Sequence, residues 1–513
     1  MKYLLLTILF FRLLVAQVSI PTEQGDNTRV GANIENTITP TNVSNLKNLG
    51  SYTVDAGIFT QVLFVPSVTI SSVVYNIILA TTLNNTVYCF NADKPGSSPL
   101  WSTNFGSTWA TPFTNYYGAN IGIVGTPVVD TATGYIFFVT VNSTPTYTLR
   151  KVSIFTGTQA ASVAVSGQYP GTGASGDNVS GGNVLFTAAW QIQRTGLTLA
   201  NGNVYFTFGS GNEAAVWHGW IFSYDEATLT QQAVLCTTCN GNGGGIWGPG
   251  GGVTVDGSGN LYFLTGNGIG SGDYNGTTNF AMSVIKVNSS LVIQDWFTPS
   301  NWQSLSGLIT DADLASGKLM FIPGTKYLTF ASKDGRAWVI DSTNMGHLQG
   351  SGAAPQVFTV FSLSANFHSG TYSGGFFNST GYFPINGQAT YAFSFSGSTY
   401  NTTALCSTPS TYSQVMLTGT NNFLGSNKIL WALTIGASAY SSAVPVTLRA
   451  WNPTTCAEYW NSGTIGGVSK FNSPTIVNGR VYVPTYDSGI QVYGLLPGSS
   501  NTGHTILSGK SGN

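Results

Sequence analysis

The chain is short of charge. Lysine and arginine number 18 and aspartate and glutamate 19 among 513 residues, 7% charged with a net charge of −1, against about a quarter in ordinary soluble domains. So neutral a surface gives no electrostatic footprint for nucleic acid or an anionic membrane. Disorder is excluded too, because it needs low hydrophobicity and high charge, and 42% of these residues are hydrophobic. Histidine occurs 4 times and cysteine 5 times, which leaves few residues for metal or nucleophilic chemistry. No stretch has helical periodicity, and beyond the N-terminus no run is apolar and long enough to anchor the chain in a membrane. There is no nucleophile elbow, HExxH or paired-carboxylate motif.

What the chain has is glycine, 63 residues of it, and 13% aromatic residues. Strand-like runs follow one another throughout, among them QVLFV, NIILATT, TVYCF, YIFFVTV, NVYFTFG, LYFLTG, YLTFAS, AWVID, ILWALT and RVYVPTY. Gly, Asn, Asp or Pro separates them, which predicts an all-β protein of short antiparallel strands. A spaced pair recurs at the ends of three runs: Asp93 with Trp101, Asn288 with Trp296, and Asn452 with Trp460. A motif repeated at wide intervals implies stacked copies of one unit. The short polar side chain is expected to cap the turn between third and fourth strands, and the tryptophan to pack between neighbouring units.

Aligning third strands gives Asp93, Ile154, Asp225, Asn288, Asp341, Phe395 and Asn452. A final unit, SPTIVNG, RVYVPTY, GIQVYGLL, has three strands, and LGSYTVD (Leu49 to Asp55) is one orphan strand before the first full unit. Three strands at one end and one at the other close a ring and leave no sheet edge. The expected architecture is therefore an eight-bladed β-propeller of four-stranded antiparallel blades over residues 49–497. Residues 1–16 read as a secretory signal: Lys2, then an apolar run from Leu4 to Ala16 broken by Arg12. An uncleaved anchor is the alternative. Residues 17–48 form a lead-in, and the Ser/Gly/Asn-rich tail 498–513 is expected to be disordered.

In a secreted chain Cys236 and Cys239 (CTTC) read as a short local disulfide. A zinc site would need further Cys or His ligands nearby, and none stands close in sequence. Cys406 and Cys456 fall in consecutive repeats and could pair, while Cys89 in VYCF reads as a small buried apolar residue. Glycosylation sequons occur at Asn42, Asn84, Asn142, Asn178, Asn275, Asn288, Asn378 and Asn401, usable if the host glycosylates asparagine.

The repeat resembles the blade motif of the pyrroloquinoline quinone (PQQ) propeller family, with Ala450, Asn452, Thr455 and Trp460 in its places and Cys456 where the family has Gly. From about Gly31 to Pro497 the chain looks like a group of secreted PQQ-like propeller proteins without an established activity. The stretches that carry this include GGGIWGPGGGVTVDGSGNLYFLTGNG, TDADLASG, ASKDGRAWVID and LRAWNPTTCAEYW. The resemblance implies that a quinone would be held by a vicinal disulfide, an aromatic stack and a calcium ion bound through carboxylate and amide oxygens. The chain has no adjacent cysteine pair, and Gly211, Asn212 and Glu213 replace a His and an acid frequent in that group.

A propeller binds ligands where loops converge at one mouth of its channel. The candidate ligand-binding residues are Glu213, His218, Trp220, Trp247, Asp313, Lys333, Arg336 and His368. His218 reads either as a base or sugar contact or as a satisfied histidine between blades. Asp311 and Asp313 read as turn caps or as calcium ligands. Lys333, Asp334 and Arg336 in SKDGRAW read as a solvated hairpin or as an anion or quinone contact. The Gly241 to Gly252 run lets backbone approach the channel axis or a ligand. GNGIGSG has no following helix and is not a dinucleotide loop.

Scarce ionisable groups and a neutral surface favour a secreted, non-catalytic binding or scaffold propeller. Its partners would be extracellular glycans or proteins, with self-association possible and no cofactor. The rival is a PQQ- and calcium-dependent alcohol or sugar dehydrogenase.

Overall fold

The computed structural model describes residues 18–496 except 111–119, 212–215, 249, 271, 307–310, 350–354, 362–374, 386–387, 410–412, 422–424, 426, 436–443, 469–471 and 488. Residues 1–16, expected to be a signal peptide, the tail 498–513, Glu213 and His368 thus lie outside the described residues. Among those described, helix is confined to Trp302–Leu305 and three 3-10 turns. Eight sheets carry four or five strands each, and two smaller sheets carry three and two. In chain order the eight span 63–104, 128–164, 191–236, 254–298, 320–359, 375–407, 413–468 and 475–494, and they are called sheets 1 to 8 below. Within each of these spans neighbouring strands are antiparallel and nearly consecutive in sequence.

The orphan N-terminal strand behaves as the sequence predicts. Lys47–Tyr52 pairs antiparallel with Ile490–Gly494 and so adds a fourth strand to sheet 8. Hydrophobic side chains between adjacent sheets form the cores. One cluster joins Tyr52, Phe64, Ile78 and Phe90 to Tyr482, Ile490 and Val492, and so joins sheet 1 to sheet 8. The disulfide Cys406–Cys456 links sheets 6 and 7, Cys236–Cys239 closes locally, and Cys89 is buried and free.

Two of the three repeat tryptophans bridge sheets. Trp101 Nε1 donates to the Ile154 carbonyl of sheet 2 at 2.9 Å, and Trp460 meets Tyr493 of sheet 8 edge-on at 5.5 Å. Trp296 stacks on His347 at 3.8 Å. Two of the three polar partners cap their turns. Asn288 Oδ1 accepts from the Ser290 and Val292 amides, and Asn452 Oδ1 from those of Thr454 and Thr455. Asp93 does not. Its turn is capped by Asn91, whose Oδ1 accepts from the Asp93 amide at 2.9 Å. Asp93 instead pairs with Arg480 of sheet 8 at 3.0 Å. The third strand ends at Asn91, so the first copy carries a longer turn before Trp101 and the equal spacing is a coincidence.

The lead-in is the feature that strand patterning missed. From Ile20 to Ile34 it runs as a strap across the first strands of all eight sheets, in chain order. Ile20 exchanges backbone bonds with Phe64 of sheet 1, and the Pro21 carbonyl accepts from Val129 of sheet 2. Asn27 Nδ2 donates to Leu199 of sheet 3. The carbonyls of Asn27, Thr28 and Val30 accept from Val255, Phe321 and Phe376 of sheets 4, 5 and 6. Ala32–Ile34 pairs parallel with sheet 7 through Gly419 to Asn421, and Asn33 Nδ2 donates to Ile476 of sheet 8.

Arg29 fastens this strap. Its guanidinium is fully buried and makes five hydrogen bonds: to Val253, Thr22, Glu23, Leu197 and Thr198, at 2.6 to 3.3 Å. Gln24 carries the polar contacts across to other sheets. Its Oε1 accepts from Lys318 Nζ, its Nε2 donates to Ser473 Oγ, and its amide donates to Gln61 Oε1, each at 2.7 Å. Gly25 turns the strap at φ 91°, a conformation that only glycine adopts freely.

Burial dominates the charges here. It pushes the Glu23 carboxyl up to about 7, against opposing effects of Thr126, Arg29 and Lys318, and it pulls the Lys318 ammonium down to about 7 and Arg29 to about 10. The folded state therefore holds a proton on Glu23 that the unfolded chain releases above about 4.5. That contribution to stability is complete below 4.5 and is lost as pH rises towards 7. Glu23→Gln should flatten the stability–pH curve in that window, by on the order of 3 kcal/mol in urea unfolding. Arg29→Ala leaves buried carbonyls without donors and should cost about 3–5 kcal/mol in the same measurement at pH 7.

Candidate functional site

Each sheet has two ends. The strap meets first strands close to their turns into the second strands, at Val129, Leu199, Val255 and Phe321. The connections between second and third strands, and those between sheets, fall at the opposite end. Asn267, Lys333 and His218 lie in second-to-third connections, and Trp247, Asp311 and Asp313 in sheet-to-sheet connections. All six therefore belong to one loop face.

Four of them converge. Lys333 Nζ donates to Asp311 Oδ1 at 2.7 Å and to Asp313 Oδ2 at 2.9 Å. Asn267 donates its amide to Asp313 Oδ1 at 2.8 Å and its Nδ2 to Asp311 Oδ1 at 3.2 Å. The side chains of Lys333, Asp311 and Asp313 are 11%, 19% and 8% exposed. The turn-cap reading of the two aspartates thus gives way to a carboxylate pair bridged by one ammonium. Burial opposes ionisation of Asp313, but Lys333 and the Asn267 amide outweigh it and hold its carboxyl below the ordinary value. Asn267 Oδ1 is left buried with no hydrogen-bond partner.

A loop built on Asp273 supports Asn267. The Asp273 carboxylate accepts from the amides of Ile269, Gly270 and Asn242. Trp247 then fits against bare glycine backbone. A methyl at Gly209 would lie 2.7 Å from the indole, and one at Gly266 would lie 2.9 Å from it and 2.6 Å from Asp313 Oδ1. The Arg194 guanidinium stands over the indole ring at 4.8 Å. The glycine-rich run on either side of Trp247 does let backbone come close, but it meets Trp247, Lys318 and Arg29 rather than open space.

The other candidates are placed differently. His218 is buried with both ring nitrogens engaged, Nε2 to Asp177 Oδ2 at 2.7 Å and Nδ1 to Thr238 Oγ1 at 3.1 Å. Backbone bridges through Gly243 tie it to Gly268, beside Asn267. Trp220 is fully buried in an aromatic row with Phe222 and Phe186, a core position that no ligand reaches. Arg336 is bound to Asp334 and lies over Trp338 at 4.7 Å, which completes its own hairpin. Sequence reading gave Asn267 and Arg194 no role. The only signal for Asn267 was its place in GNGIGSG, whose wrong use as a dinucleotide loop was rejected without a right one replacing it.

No protein-family profile matches the chain, and no curated protein is similar to it in sequence. Solved structures are similar in fold. A quinohaemoprotein alcohol dehydrogenase of Pseudomonas putida HK5 is 12% identical over 93% of this chain and 80% of its own, with a TM-score of 0.64. That of Comamonas testosteroni is 13% identical over the same shares, with a TM-score of 0.61. BamB of Moraxella catarrhalis is 12% identical over 88% of this chain and 99% of its own, at 0.52. The fold is therefore an all-β, mostly antiparallel propeller, similar to those of these dehydrogenases and of BamB. No described helix is long and apolar enough to cross a membrane.

Gly266→Ala would drive a methyl into both Asp313 and Trp247. It should cost about 1–3 kcal/mol in urea unfolding and change the near-UV circular dichroism of the indole, whereas Gly257→Ala, with nothing within 4 Å, should change neither.

Proposed function

We propose that the eight sheets form a closed eight-bladed ring whose loop face carries a quinone- and calcium-dependent dehydrogenase site for alcohols or sugars. Closure is supported by the pairing of Lys47–Tyr52 with the last strand and by a strap that meets all eight first strands in order. Secretion is supported by two disulfides in so short a cysteine inventory.

The observation that carries the dehydrogenase reading is the unpartnered, buried Asn267 Oδ1 beside two carboxylates. A hard cation takes amide and carboxylate oxygens together, and these residues supply both. Asn267 and Asp313 would hold the calcium, Trp247 would lie under the quinone ring where the Arg194 guanidinium now stands, and Arg194 would turn to the carboxylates of an anionic quinone. A bound quinone supplies the two-electron acceptor. The protein's part is proton handling and placement. Lys333 helps hold the Asp313 carboxyl below its ordinary value, and Asp311, the more exposed of the two, can accept the proton of a substrate hydroxyl at its carboxylate. The adjacent cysteine pair of the quinoproteins has no counterpart, so the face of the quinone away from Trp247 would be covered by other loops. A non-catalytic glycan- or protein-binding propeller is supported less well, because three of the chain's few charged groups, Lys333, Asp311 and Asp313, gather beside an amide oxygen without a partner.

Purified protein should bind PQQ in the presence of calcium with quenching of tryptophan emission, and should then reduce an electron-accepting dye with alcohols or sugars. Asp311→Asn should lower kcat by about 10²–10⁴-fold while quinone binding persists. Absence of both quinone binding and turnover would sink the dehydrogenase and return the binding propeller to first place.

A further inference from the structure

The second cluster on the loop face is independent of this reaction. Cys236 and Cys239 flank a short turn at the end of the fourth strand of sheet 3. His218, from the preceding connection, folds over it. A His218 ring nitrogen and both sulfurs lie within 4.8 Å of one another, and all three residues are buried. Sequence inspection found no third ligand for the CTTC pair, because His218 stands eighteen residues before Cys236 and only the strand pairing of Trp220 with Cys236 brings it near.

Three details fit a borderline-soft divalent cation of the zinc type. First, two thiolates and one imidazole are the donors such an ion prefers, and its tetrahedral bonds of about 2.0–2.3 Å place donor atoms roughly 3.5–4 Å apart; the sulfurs, now bonded to each other, separate to that distance on reduction, and the His218 nitrogen already lies within 4.8 Å of both. Second, His218 Nε2 is bonded to Asp177 Oδ2 at 2.7 Å. A carboxylate on the far nitrogen fixes the ring and leaves Nδ1 as the ligand atom. Third, Thr238 Oγ1, which now faces Nδ1, already has a second partner in the Gly243 carbonyl at 2.6 Å. It can keep that bond when Nδ1 turns to a metal.

We propose that Cys236, Cys239 and His218 form a zinc-type site in the thiol state of the chain, with Asp177 as its positioning residue, and that the disulfide is the alternative, metal-free state. The two states exclude each other. When a disulfide oxidant acts, each thiolate gives up one electron, the S–S bond forms, the oxidant leaves as two thiolates, and the cation is released. Newly made chain in a reducing compartment would hold the ion, and exported chain would hold the disulfide.

The test uses the full chain carrying Cys406→Ser and Cys456→Ser, so that Cys236–Cys239 is the sole disulfide. Cobalt(II) is titrated into it before and after reduction by a phosphine, with tryptophan emission confirming the fold. The reduced chain should take up one equivalent of cobalt, with thiolate-to-cobalt absorption in the near ultraviolet and intense visible bands of tetrahedral geometry, displaced by zinc. The oxidised chain should show none. His218→Ala should abolish the tetrahedral bands, and Asp177→Asn should weaken binding about 10–100-fold. A folded, reduced chain without these bands overturns the proposal. So does a spectrum that His218→Ala leaves unchanged, since the ligands would then lie elsewhere.

Discussion

Arg29 is the contact on which the rest of the molecule leans. Sheets that pack on their neighbours share no single core, and the first strands stand at the edges of their own sheets. Their backbone groups need partners, because an unpaired buried amide or carbonyl costs as much as a lost hydrogen bond. The strap supplies those partners sheet by sheet, and it holds its course because Arg29 binds two of its own residues, Thr22 and Glu23, together with Leu197, Thr198 and Val253. A guanidinium suits this place because its donors fan out in one plane towards several carbonyls at once.

The strap also decides where chemistry can happen. It fills one end of the first strands, so a ligand has the loop face as its approach. The two ends are mechanically joined through sheet 5. Lys318 bonds Gln24 of the strap, and Asp313, five residues earlier on the same approach to the first strand, accepts from Lys333.

Much of this was legible in the sequence. Strand count, turn residues, the repeated tryptophans and the pairing of the orphan strand all follow from local patterning, and each unit repeats the pattern several times. Asp93 shows the limit of that reading: one longer turn restored the expected spacing by accident, and only the hydrogen bond from the Asp93 amide shows Asn91 to be the cap. The strap was not legible, because it makes its bonds to strands far away in sequence and carries no alternation of its own. The same is true of the loop face. Asn267, Asp313 and Lys333 come from three different connections, and nothing in TDAD or SKDG announces that they meet. Asp177 and His218 belong to separate excursions as well, and their pairing is a property of closed sheets, not of any segment.

Scarcity of charge, the first thing visible in the chain, takes on a different meaning once the charges are located. A neutral surface read alone argued for passive binding. Yet Glu23, Arg29 and Lys318 are buried along the strap, and Asp311, Asp313 and Lys333 are largely buried on the loop face. Burying a charge is costly unless a partner compensates it, and apolar residues of similar volume often serve stability as well or better. At the strap the return is evident, since backbone groups of several sheets are satisfied. At the loop face it is not: two like charges are brought to one ammonium, beside an amide oxygen that nothing in the protein bonds. Structural need alone would have put Leu or Ser there. The arrangement makes physical sense when something outside the chain, with a positive charge and room for oxygen ligands, completes it.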